Sequence, residues 1–70
     1  MDYLVVFEHA PDGAIWARVP DLPGCYSCGE TLADAKLQIK DALELHLEGL
    51  KEEGLDIPQP QVFKAELIHV

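Results

Sequence analysis

Two cysteines three positions apart, Cys25 and Cys28, three histidines and a run of glutamates are the residues of this 70-residue chain whose types could do chemistry. Thiolates at that spacing can share a zinc ion, and a cysteine pair just ahead of a helix can have a lowered pKa suited to redox exchange. A structural zinc site takes four ligands, however, and neither a second cysteine pair nor a pair of histidines at ligand spacing is present. In a strand, moreover, positions three apart point to opposite faces. The plainer reading is two small, partly buried thiols in a reducing compartment. A metal or redox protein built on Cys25, Cys28 and the histidines is the competing class.

His46 falls on the apolar stripe of a helical segment and reads as a packing residue, while His9 and His69 fall at strand ends. No Ser, Cys or Asp is spaced to form a nucleophile pair with any of them. Glu44, Glu48, Glu52 and Glu53 follow a wet helical face, and only Glu8 sits near a strand end where a metal could be held. Metal-dependent nuclease chemistry therefore lacks a second inner carboxylate. Gly24 and Gly29 are isolated, so there is no glycine-rich loop to cradle a phosphate. We expect no catalytic residue, no metal and no cofactor: a chain that is not an enzyme.

Thirteen acidic against five basic residues give a formal charge of −8. A field of that sign repels the nucleic-acid backbone, so direct DNA or RNA binding is not expected. It would speed encounter with a basic protein, although an acidic surface also serves solubility. The first residues lack the positive start and apolar core of a signal peptide, and no apolar run is long enough to cross a bilayer. A cytoplasmic protein with no membrane partner is the expectation.

Positioning elements follow from turn residues and hydrophobic period. Tyr3 to His9 and Ile15 to Val19 read as strands, with Pro11-Asp12-Gly13 between them as a hairpin loop. Leu22-Pro23-Gly24-Cys25 reads as a type II turn, because Pro presets its second position and Gly takes the positive φ of its third. Cys25 to Cys28 is a short third strand that Gly29 ends. Thr31 stands three residues ahead of Asp34, placed to cap a helix opening at Leu32.

From Leu32 to about Glu53, the positions Leu32, Ala35, Ile39, Ala42, Leu43, His46 and Leu50 keep helical spacing. Gly54 suits the cap that follows, and Pro58 and Pro60 prevent the helix from resuming. Val62 to Val70 alternates Phe63, Ala65 and Leu67 against Lys64 and Glu66, which predicts a fourth strand. The order β-β-β-α-β implies a single α+β domain over residues 1–70: two layers, a mostly antiparallel sheet and one helix on one face. A right-handed crossover would set the last strand beside the first.

One helix covers one face, yet strand one is apolar on both, with Tyr3, Val5 and Phe7 on one side and Leu4 and Val6 on the other. Self-association as a homodimer or larger oligomer is expected, with Tyr3, Val5, Phe7, Phe63 and Leu67 as interface candidates. The Val62–Val70 strand is the preferred edge for pairing.

The succession of the Asp12-Gly13 turn, Pro20-Asp21-Leu22-Pro23-Gly24-Cys25, Gly29 with Thr31, Ala35, Ala42-Leu43 and Ile57-Pro58-Gln59-Pro60 resembles the HicB-like antitoxin family nearly end to end. The resemblance implies the same topology, a partial ribonuclease-H-like fold. It also implies a partner: a small basic HicA-like toxin that cleaves RNA with a histidine, which the antitoxin blocks. Many members continue into a ribbon-helix-helix or helix-turn-helix segment that binds operator DNA, whereas this sequence ends at Val70, so direct DNA contact is not expected of it. Partner-binding candidates, chosen at strand ends and turns, are Glu8, Asp12, Trp16, Asp21 and Glu30, while Pro23, Gly24, Gly29 and Thr31 are assigned to turns and cap. An orphan oligomeric scaffold or regulatory domain with no toxin is the alternative.

Overall fold

The computed structural model describes residues 1–70. Its elements are β1 (Val6–His9), β2 (Ile15–Arg18), β3 (Tyr26–Gly29) and α1 (Leu32–Glu52). The hairpin between β1 and β2 closes through Gly13 N–H to the Ala10 carbonyl at 3.0 Å and Ala10 N–H to the Ala14 carbonyl at 2.9 Å. Asp12 Oδ1 accepts the Ala14 N–H at 3.0 Å, as an Asx turn does. Between β2 and β3, Cys25 N–H donates to the Leu22 carbonyl at 3.0 Å. Gly24 sits there at φ +85°, the left-handed region that a residue with a Cβ enters at a cost. The type II turn read from Pro23-Gly24 is thus formed.

Gly29 ends β3, and packing is the reason. A Cβ at this position would stand 2.5 Å from the Ala35 amide nitrogen, so the missing side chain lets α1 begin hard against the strand. Thr31 caps the helix, its Oγ1 accepting the Asp34 N–H at 3.1 Å. Asp34 Oδ2 accepts the Glu30 N–H in return, also at 3.1 Å, which satisfies a second amide at the helix start. At the other end, Leu55 N–H reaches the Leu50 carbonyl at 2.9 Å and Gly54 N–H the Lys51 carbonyl at 3.1 Å. Those two bonds are a Schellman closure.

The sheet is antiparallel in the order β1-β2-β3. Phe7 stands opposite Ala17, and Ala17 opposite Ser27. Ala17 is buried beneath the helix with Val19, Leu22, Cys25 and Ile39, and Tyr3, Val5, Ala42, Leu43 and Leu47 pack around them. The core is thin: seven of 70 residues are buried, and Leu22 is the one large side chain fully enclosed. The helix lies over β3 and β2 but does not reach β1. That offset explains two departures from the expected stripe. Leu32 is exposed because it faces the uncovered β1 side, and Leu47, outside the predicted set, turns into the core instead.

The expected α+β class with one helix on one face of an antiparallel sheet is present. The fourth strand is not. Residues 62–70 carry the alternating pattern of a strand, but they pair with no edge of their own sheet. A strand exists only through a neighbour's backbone groups, and here the chain is held short of β1. The Gln61 and Val62 N–H groups donate to Asp21 Oδ2 at 2.9 and 3.0 Å. The Tyr3 hydroxyl donates to the Pro58 carbonyl. β1 begins at Val6 rather than Tyr3 for the same reason, since β2 offers partners only from Ile15 to Arg18.

Candidate functional site

The sheet face away from the helix carries the candidate site. Alternation along β2 turns Ala17 inward and leaves Trp16 and Arg18 outward. Register then adds neighbours, with Glu8 and Cys28 opposite Trp16, and Val6 and Tyr26 opposite Arg18. Arg18 Nε donates to Glu8 Oε1 at 2.7 Å across the diagonal of the β1–β2 ladder. The Trp16 and Tyr26 rings lie with centroids 5.8 Å apart, tilted by 32°, and they are 43% and 59% exposed. Such an aromatic pair is a preferred geometry, here presented to solvent.

These side chains line one side of an open groove that Pro20 and Pro23 continue at the β2–β3 corner. The groove therefore combines two large aromatic surfaces, an ion pair exposed to solvent and a rigid turn. An ion pair this exposed adds little to stability but offers both signs of charge to a partner. Large aromatics flanked by Arg are the composition that carries energy at protein interfaces.

Catalytic chemistry finds no comparable arrangement. No three His, Cys, Asp or Glu side chains come together as a metal would require. Cys25 and Cys28 are both free thiols, the first buried and the second exposed. Burial pushes the Cys25 thiol up from its ordinary value, opposite to the shift that activates a nucleophile. His46 is half-buried on α1, and His9 and His69 are exposed. No helix is long and apolar enough to cross a membrane.

Of the five partner-binding candidates, the structure brings Glu8 and Trp16 together on this face. Asp12 projects from the hairpin, one carboxylate oxygen engaged by its own loop. Asp21 serves inside the fold, its carboxylate holding the Gln61 and Val62 amides. Glu30 is exposed at the β3–α1 junction and does not line the groove. Arg18 and Tyr26 were not among the candidates. Their outward direction follows from alternation, but their proximity to Glu8 and Trp16 depends on strand register, which spacing alone leaves open.

A family model described as the HicB-like antitoxin of bacterial toxin-antitoxin systems matches residues 3–68. Among similar sequences, a 14.9 kDa protein encoded in the rep-hol intergenic region of Haemophilus phage HP1 is 41% identical over 59 residues. That match covers 84% of this chain and 44% of the phage protein, so the chain spans less than half of that relative. A UPF0150 protein of Thermoplasma acidophilum is 37% identical over 59 residues, covering 84% of this chain and 86% of its own. Among solved structures, the N-terminal domain of the Burkholderia pseudomallei antitoxin HicB superposes with a TM-score of 0.73 at 30% identity, over 83% of this chain and 69% of that one. A HicA3 and HicB3 toxin-antitoxin complex gives a TM-score of 0.72, also at 30% identity, over 86% and 70%.

Proposed function

The chain belongs to the HicB-like family of antitoxins of bacterial toxin-antitoxin systems, and from that premise we propose that it silences a small basic HicA-like, RNA-cleaving toxin by covering it with the outer sheet face. The observation that carries this reading is the exposed Trp16–Tyr26 pair beside the Arg18–Glu8 ion pair, on the one sheet face that the helix leaves bare. A charge of −8 supports it, because an acidic domain attracts the cationic surface with which a ribonuclease holds RNA. The likeness to a solved HicA3–HicB3 complex supports a toxin as partner.

On this reading the protein is a cytoplasmic binder and not a catalyst, working as one domain over residues 1–70. It uses no cofactor and leaves nucleic acid to its partner. Asp12 and Glu30 act through charge at the rim, while Trp16 and Tyr26 supply the buried contact.

Co-purification and calorimetry with any small basic protein encoded beside it test the proposal. The expected result is tight binding and loss of the toxin's RNA cleavage. Trp16→Ala should weaken the complex at least tenfold, chiefly through faster dissociation, as central aromatic anchors do. An unfolding midpoint that stays put would assign the loss to the contact itself. No binding to any co-encoded basic protein would leave the orphan scaffold as the better account.

A further inference from the structure

We propose that the segment Val62–Val70 is an exchange strand, which pairs with the free β1 edge of a second copy of this chain while the second copy's segment pairs with the first. Three observations converge on it, and none depends on the toxin.

The first is the segment itself. Phe63 is 90% exposed, and Leu67 and Val70 are wholly so. Lys64 Nζ meets Glu66 Oε1 at 2.6 Å, the spacing at which two residues of a strand share a side, and the sequence sets Phe63, Ala65 and Leu67 at the alternate positions. The segment thus carries the alternation of a strand with an apolar side and has no ladder to join. The molecule as a whole is less compact than its length requires: the radius of gyration is 13.1 Å, against about 11 Å for a compact chain of this length.

The second is the vacancy at β1. This strand is an edge of the sheet, and the helix is offset away from it. A depression of about 270 Å³ lies between the two, floored by Val5, Phe7, Ile39 and Leu43. It adjoins, through Phe7, a second depression of about 440 Å³ that reaches Ile15 and Leu32. Together they form an apolar trough that follows the β1 edge. A strand laid along β1 would satisfy the edge's backbone groups and place alternate side chains in the trough.

The third is charge. Two copies at −8 repel each other, so a self-contact must avoid the acidic surface. The chain has five Lys and Arg residues. Lys36 and Lys40 border the trough, and Lys64 lies in the segment, whose one acidic residue is Glu66. The contact thereby brings Lys36, Lys40 and Lys64 together with Glu8 and Glu66, three cations against two carboxylates in a molecule that is otherwise strongly acidic.

The occupant is a second copy because the chain's own segment is led elsewhere, by the Asp21 and Tyr3 bonds to residues 58–62. Reciprocal exchange makes a closed two-fold pair. If each arm buries about 400 Å² of its own side chains and covers as much trough, the two together remove on the order of 1,600 Å², the size of a stable interface.

The test uses the full chain. Sedimentation at micromolar concentration should give twice 7.8 kDa, and Phe63→Asp or Leu67→Asp should give monomers with unchanged helical circular dichroism. Geometry is read by mixing an isotope-labelled chain with an unlabelled Glu66→Cys, Cys28→Ser chain that carries a nitroxide at position 66, on the side of the segment away from the trough. Broadening in the labelled chain should centre on the amides of Val5 to His9. A monomer, or a dimer whose broadening centres on the Trp16–Tyr26 face or on the helix surface around Leu37 and Leu45, overturns the proposal.

Discussion

Gly24 and Gly29 stand five residues apart and are glycines for different reasons, which substitution separates. At Gly24 the backbone is at φ +85° with open space where a Cβ would go. Gly24→Val should therefore cost about 1–3 kcal/mol, all of it backbone strain. Gly24→Asn should recover much of that, because Asn tolerates the left-handed region. Gly29 needs no such conformation, but any Cβ there meets the Ala35 backbone at 2.5 Å. Even Gly29→Ala must push the helix off β3, at a cost of about 3 kcal/mol or more, and Asn should do no better. Urea midpoints of the four variants check this. Equal losses for Gly24→Asn and Gly24→Val would show that strain is not what Gly24 relieves.

At the scale of elements, the helix depends on the Thr31 cap and the sheet depends on register, and only the first is written locally. Thr31→Ala removes the acceptor for the Asp34 N–H and should lower stability by about 1 kcal/mol, with Thr31→Ser nearly neutral. Thermal melts would check it, and a stable Thr31→Ala would mean that Asp34 alone holds the helix start. The same locality explains what could be read in the sequence. Hairpin, type II turn, cap and Schellman closure were legible because each rests on a few consecutive residues whose backbone needs are distinctive. Tyr26 joining Trp16 was not, since that contact depends on how two strands align. Leu47 and Leu32 exchanged roles because a helix stripe records the angle around an axis, not where the sheet beneath it stops. The pattern over Val62–Val70 is a strand's pattern, but whether a strand forms depends on an edge that this chain does not bring to it.

For the whole molecule, one charge distribution has opposite consequences for toxin binding and for self-association, and ionic strength separates them. With a net charge of −8, encounter with a basic toxin is attractive at long range. Steered association of that kind falls roughly tenfold or more as salt screens it. The copies of this chain repel one another with the same field, so salt should leave self-association unchanged or tighten it. Charge reversal at Asp12, exposed on the hairpin, should slow toxin association and flatten its salt dependence without altering the dimer. Leu67→Asp should do the reverse, abolishing the dimer while the Trp16–Tyr26 face still binds. Stopped-flow association rates and sedimentation across a salt series, on the same two variants, provide the measurement. If both associations weaken together as salt rises, a single electrostatic surface serves both, and the division between an outer binding face and a β1 exchange edge is wrong.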